Sequence, residues 1–196
     1  MLRTDNGTEA VIMGAMQMAL RSFHADEMAG EKSYFRGKST KNQRIECYWR
    51  QFKQHLGQFH MDFFKEMENQ GVLNIGNAIH IECLRYCFGD LLKDEIRTTV
   101  KEWNEHTIRR QNNRNVITGK PNELYHLPEN FDAVDCRKTL NVEHAEVLFL
   151  DYAEVPQLCD PVFVEFIESQ MPGRESPATA EEAFELYQDI LEMIEA

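Results

Sequence analysis

Long apolar runs are missing from this sequence: none approaches the roughly 20 consecutive apolar residues that a membrane helix needs. The N-terminus, Met1 to Asp5, turns polar almost at once, and no apolar segment follows that would act as a secretory signal. The 5 cysteines are an odd number at irregular spacings, which indicates reduced thiols and not a disulfide framework. We therefore expect an intracellular chain, nuclear or cytoplasmic, with no membrane partner.

Basic residues are scarce in the last third of the chain. Residues 129–196 hold only 3 Lys/Arg against 17 Asp/Glu, whereas residues 1–128 hold 18 Lys/Arg and 16 Asp/Glu. The net charge of −12 therefore resides in the second region, and only the first region favours a phosphate backbone. This asymmetry predicts an acidic C-terminal extension over residues 129–196.

Apolar periodicity predicts a mainly helical chain. One stripe recurs at steps of four and three and indicates a long helix over residues 41–69, closed by Gln70-Gly71; it consists of Ile45, Trp49, Phe52, Leu56, Phe59 and Phe63. Similar patterns and punctuation predict helices over 8–24, 75–106, 121–127, 160–170 and 179–194, and a short edge strand within 32–36. Residues 143–151 fit either helix or strand.

Two clusters of chemically active side chains have more than one interpretation. Cys83 and Cys87 are one helical turn apart, with His80 one turn earlier; this spacing suits a metal site, but the apolar neighbours favour buried core thiols. Glu46 is the only acid among seven basic residues between Lys32 and Lys53. Such an acid suits a metal-binding carboxylate beside a phosphate-binding surface, or an ordinary i,i+4 ion pair with Arg50.

Four segments in order resemble the catalytic core of retroviral and transposon-type integrases. The first is Thr4-Asp5-Asn6-Gly7-Thr8-Glu9, and the second is Gly37-Lys38-Ser39-Thr40-Lys41-Asn42-Gln43-Arg44-Ile45-Glu46. The others are Trp103-Asn104-Glu105-His106-Thr107-Ile108-Arg109 and Gly119-Lys120-Pro121-Asn122-Glu123-Leu124-Tyr125. The resemblance covers residues 3–128 and is greatest to integrase core-like domains of animal and fungal genomes.

The resemblance implies a site and a fold. Asp5 matches the second catalytic and metal-binding aspartate of this DDE family, and Glu46 matches its glutamate. Basic residues matching or flanking these segments are expected to contact nucleic acid: Lys38, Lys41, Arg44, Arg50, Lys53, Arg109, Arg110 and Arg114. The implied fold is the C-terminal part of an α/β ribonuclease H-like integrase core over residues 1–128, with one short edge strand and two long helices, followed by the acidic helical extension.

The family's first catalytic aspartate lies on a strand well before the second, and only four residues precede Asp5 here. We therefore expect an N-terminally truncated core, without the Mg²⁺-dependent polynucleotidyl transfer that the family performs. No cofactor is expected unless a further aspartate is supplied, in which case Mg²⁺ would bind.

Three functions follow from this pattern. The chain is an incomplete integrase-like protein that retains nucleic-acid binding, or a helical protein-interaction module derived from an integrase, or a piece of a full-length DNA integrase or transposase. Self-association or a protein partner would use the aromatic face around Trp49, which would lack its usual cover unless the helix over 179–194 supplies it.

Overall fold

The computed structural model describes residues 1–5, 7–8, 10–38, 43–110, 117–152 and 157–195. The chain divides into two compact units, residues 1–51 with 136–155, and residues 52–135 with 156–196. The described residues are mainly helical, with one short sheet, which confirms the predicted fold class. None of the described helices combines the length and apolar character needed to cross a bilayer.

The first unit is built on a two-stranded parallel sheet. Strand β1 (Leu2–Thr4) leads into helix α1 (Ala10–Leu20), and a 3₁₀ turn (Gly30–Ser33) leads into strand β2 (Tyr34–Arg36) beside β1. The sequence predicted one strand here; β1 was missed because three residues are too few to show alternation. Helices α2 (Gln43–Phe52) and α6 (Val142–Tyr152) follow later in the chain, and residues 143–151 are thus helical.

The described elements of the second unit are helices and helical turns, with an isolated bridge between Ile108 and Gly119. A π-helical turn (Lys53–Gly57) precedes α3 (Gln58–Asn69), and Gly71 closes α3 with a positive φ of 73°. The long helix α4 (Ala78–Glu105) starts at Asn77, whose side chain accepts the Ile79 N–H. The remaining elements are α5 (Pro121–His126), a 3₁₀ turn (Pro128–Phe131), α7 (Pro161–Gln170) and α8 (Ala180–Glu195).

The π-helical turn changes which face of α3 is buried. The sequence pattern placed Phe59 on the apolar face of the helix, but Phe59 is 53% exposed and its neighbour His60 is 4% exposed. A π-helix has more residues per turn than an α-helix. A π-helical turn before α3 therefore rotates the side chains of α3 about the helix axis, relative to an uninterrupted α-helix. The buried line therefore runs through His60 and Met67, with Phe63 half-buried between them.

The core of the second unit lies between α3, α4, α7 and α8. The face of α8 predicted to be apolar is buried in it, at Ala183, Leu186, Tyr187 and Ile190. The Phe63 ring meets Phe184 edge-on at 6.0 Å, so α8 covers the later part of the aromatic stripe. The earlier residues Ile45 and Trp49 are 48% and 57% exposed.

Candidate nucleic-acid interface and carboxylate pair

Asp5 directly follows β1, at the end of the sheet where the chain turns toward α1. Its Oδ1 accepts the Gly7 N–H at 3.0 Å, so the carboxylate holds the turn and lies half-buried. Glu46 lies in the first turn of α2 and is exposed. Among the described residues, no three His, Cys, Asp or Glu side chains are gathered as metal ligands, so neither carboxylate has two such partners there.

Tyr34 fixes the position of the turn that carries Asp5. Its hydroxyl lies 2.7 Å from Thr4 Oγ1, and it donates to the Ala10 carbonyl at 3.3 Å. The ring packs so closely on α1 that a Cβ at Gly14 would stand 2.4 Å from Tyr34 Cε1. Glycine at this position therefore lets α1 approach the sheet, and the three elements around Asp5 are held together.

An ion pair between a buried arginine and a partly exposed aspartate orders the loop between α1 and β2. Arg21 Nη2 donates to both carboxylate oxygens of Asp26, at 2.6 and 2.7 Å, and the Arg21 side chain is 8% exposed. This hydrogen bond lowers the pKa of Asp26. At the end of the loop, buried Ser33 donates to the Gly30 carbonyl at 2.6 Å, which shapes the turn entering β2. The loop thus enters β2 with a defined geometry.

Most predicted nucleic-acid contacts that the structure describes are exposed cations. Lys38 and Arg50 lie in the first unit, and Lys53, Arg109 and Arg110 lie in the second; all five are exposed. None of these five forms an ion pair with a described residue. Two further predicted residues, Lys41 and Arg114, fall outside the described residues, as does the side chain of Arg44.

The alternative interpretation of Glu46 is not supported by the geometry. Glu46 and Arg50 are both described, both exposed and one turn apart in α2, yet they form no ion pair. A solvated acid beside an unpaired cation remains available to a metal ion or an incoming polar ligand.

The histidine and cysteine cluster is structural. Cys83 and Cys87 are buried, and burial raises the pKa of both thiols, that of Cys83 to about 11. All 5 cysteines are free thiols. The nearby His80 bonds the Tyr187 hydroxyl at 2.8 Å instead of approaching a metal site. The interpretation of Cys83 and Cys87 as core thiols is therefore confirmed.

Glu82 also has a structural role. It accepts the Asp160 N–H at 2.8 Å and the Cys159 thiol at 3.1 Å, and it pairs with Arg85 at 2.6 Å. The Asp160 N–H makes the largest contribution to the lowered pKa of Glu82. Because these contacts occupy the carboxylate, Glu82 stabilises the segment that enters α7 and has a structural role.

Sequence reasoning missed one pair of exposed side chains on the two strands, one of which leads to Asp5. Arg3 and Phe35 are directly paired across the parallel sheet, and the Arg3 guanidinium carbon lies 5.5 Å from the Phe35 ring centroid. Phe35 is 53% exposed. The alternation of Tyr34, Phe35 and Arg36 was the available signal, since it places Phe35 on the sheet face opposite Tyr34.

The described residues form a mainly helical chain with a short parallel sheet, with Asp5 directly after one strand and Glu46 in the first turn of α2. A family model described as integrase core domain matches residues 1–128. This chain belongs to the integrase core domain family. A comparison with curated proteins and one with solved structures gave no match.

Proposed function

We propose that this chain binds nucleic acid through the basic residues of its integrase-core segment and does not by itself catalyse polynucleotidyl transfer. The proposal rests on the exposed cations that flank Glu46 in the sequence and form no ion pair with a described residue, above all Lys38 and Arg50. Cations without a protein partner are free to replace the counterions of a phosphate backbone. Membership of the integrase core domain family supports DNA as the form of nucleic acid.

The proposed lack of catalysis rests on the described residues, among which no three His, Cys, Asp or Glu side chains are gathered as metal ligands. Two-metal phosphoryl transfer needs enough acidic ligands to hold two divalent cations close together. In this chain the resemblance supplies Asp5 and Glu46, and Glu82 is occupied by Asp160 and Cys159. Two carboxylates do not fit a pair of Mg²⁺ ions, since most of the metal charge would stay unneutralised. A longer chain with an additional upstream aspartate would meet this requirement.

DNA binding is tested by salt dependence. The wild-type chain should bind duplex DNA with an affinity that falls steeply with salt, because each phosphate contact releases a counterion. The double variant Lys38→Gln and Arg50→Gln should reduce the slope of log K against log salt by about two. Arg97→Gln is the matched control, since Arg97 is exposed but paired with Asp94 at 2.8 Å.

The binding proposal is wrong if wild-type affinity does not respond to salt, or if Arg97→Gln has the same effect as the double variant. Catalysis is tested separately on labelled DNA with Mg²⁺. We expect no cleavage or strand transfer, and only weak Mg²⁺ binding in calorimetry that Glu46→Gln removes. Turnover that is abolished by Glu46→Gln would contradict the proposed inactivity.

A second candidate function is protein interaction through α2. It is favoured by the exposure of Ile45 and Trp49, which place apolar surface on one face of that helix. Self-association through this face would persist at high salt, unlike DNA binding. Sedimentation of wild type and Ile45→Ser measures it, with Ile75→Ser as control because Ile75 is 62% exposed in the other unit. A monomeric wild type at all salt concentrations would remove self-association as a candidate.

A further inference from the structure

The two faces of the parallel sheet differ in what covers them. Side chains alternate along a strand, so Thr4 and Tyr34 project from one face and the directly paired Arg3 and Phe35 project from the other. Helix α1 packs on the first face, where Gly14 meets the Tyr34 ring. On the second face, Arg3 is exposed and Phe35 is 53% exposed. The sheet therefore presents an aromatic ring and a cation together on an accessible face.

Gly37 completes this face. It lies two residues after Phe35, on the same face of the strand, and its N–H donates to the Thr4 carbonyl at 2.9 Å. A Cβ at Gly37 would stand 2.9 Å from Arg3 Nη2 and 3.3 Å from Phe35 Cε1. The glycine thus allows the guanidinium to lie against the ring while more than half of the phenylalanine stays exposed. Lys38 follows at once and adds an exposed cation.

We propose that Phe35 is a stacking platform for an unpaired nucleobase, with Arg3 binding the phosphate next to it. Every base has a flat π-face that stacks on an aromatic ring, and an adjacent guanidinium supplies backbone contact and cation–π attraction. In a duplex the base faces are stacked on each other, so this face selects single strands. The inference rests on the proposed nucleic-acid binding and specifies its substrate as single-stranded DNA or a single-stranded end.

The test compares binding of a short labelled single strand with binding of the matching duplex, by fluorescence anisotropy at several salt concentrations. Phe35→Ala should weaken single-strand binding roughly 5- to 150-fold, the range for loss of one aromatic stacking contact, and leave the salt slope unchanged. Phe35→Trp should retain binding because it keeps a π-face. Arg3→Gln should reduce the salt slope by about one, as expected for a lost phosphate contact.

Two further variants separate base stacking on Phe35 from the loss of apolar side-chain volume and from the loss of any exposed aromatic ring. Phe35→Leu keeps an apolar side chain of similar size and should fold, yet it should lose single-strand affinity as Phe35→Ala does. Phe23→Ala is the matched control in the same unit, because Phe23 is 78% exposed and its ring contacts His144 instead of a guanidinium. Single-strand binding by this control should equal that of wild type.

The results distinguish failure of the Phe35 stacking platform from failure of the proposed nucleic-acid binding. Wild-type binding that Phe35→Leu does not weaken, or that Phe35→Leu weakens equally for single strand and duplex, overturns the stacking platform alone. Failure of the wild-type chain to bind either form at low salt overturns the proposed nucleic-acid binding and the platform with it. Selective loss in Phe35→Leu with retention in Phe35→Trp establishes the platform.

Discussion

Replacing Tyr187 by phenylalanine measures how firmly the acidic extension is fixed to the integrase-core segment. Tyr187 lies on α8 and is completely buried. Its hydroxyl bonds His80 Nδ1 at 2.8 Å and donates to the Val72 carbonyl at 3.2 Å, and both partners precede residue 128. Tyr187→Phe keeps the ring and removes only the hydroxyl. The substitution therefore isolates the polar link between the extension and the second unit's core.

The expected loss of folding free energy in Tyr187→Phe depends on the hydrogen-bonding groups that lose the hydroxyl as a partner. The hydroxyl has a single proton, so its donation to the Val72 carbonyl leaves His80 Nδ1 as the donor to the tyrosine oxygen, and Tyr187→Phe takes a partner from both groups. An unsatisfied buried polar group costs about 1–3 kcal/mol of folding free energy. Truncation to alanine also opens a cavity in place of the ring, and large aromatic-to-alanine changes cost about 3–5 kcal/mol. Tyr187→Ala should therefore be clearly less stable than Tyr187→Phe.

Urea unfolding of the whole chain, followed by far-UV circular dichroism, measures both effects. For Tyr187→Phe we expect a lower midpoint with an unchanged slope, and a melting temperature reduced by about 2–4 °C per kcal/mol. Tyr125→Phe is the control, because Tyr125 is 68% exposed. If Tyr187→Phe and Tyr125→Phe unfolded at the same urea concentration as wild type, the reasoning about a buried, bonded hydroxyl would be refuted.

Three further substitutions test the packing that positions the site. Gly14→Ala should destabilise the first unit by about 1–3 kcal/mol, because its Cβ meets the Tyr34 ring at 2.4 Å; faster trypsin cleavage within that unit would reveal it, and an unchanged rate would contradict it. Glu82 has a lowered pKa, so its bond to Asp160 stabilises the fold above the unfolded-state pKa and is lost as pH falls through the lowered value. Thermal melts should show that acidification destabilises wild type more than Glu82→Gln; parallel curves would count against this stabilising role of Glu82. Gly71→Ala should lower the free energy of unfolding by about 1 kcal/mol, seen as a lower urea midpoint, because φ is 73°; an unchanged midpoint would argue against the left-handed turn.

Local patterns predicted most of the helices. The last helix was predicted over residues 179–194, and α8 starts at Ala180, where the Thr179 side chain caps it by accepting the Glu182 N–H at 3.2 Å. The Gln70-Gly71 stop ends α3, and Pro161 begins α7 as the sequence indicated. These boundaries depend on contacts within one turn of helix, so they are encoded by residues close together in sequence.

The candidate site was predicted less completely. Asp5, Glu46 and the basic residues were identified because their order resembles a known family, and their roles remain predictions. Arg3 and Phe35 were not identified, because they are 32 positions apart and meet only through the parallel pairing of β1 with β2. Register between distant strands depends on the loop and helix that connect them, and a single sequence does not specify that pairing.

By itself, the sequence determined the integrase-core resemblance over residues 1–128, the division of charge and the helical character of the chain, because each depends on residue type and short-range spacing. Tertiary structure alone decided that His60 replaces Phe59 in the core, since a π-helical turn rotates the following face. It also decided that α8 closes the second unit while Phe35 stays exposed on the open face of the sheet. Both outcomes depend on which surfaces meet in space, and that is settled by long-range packing.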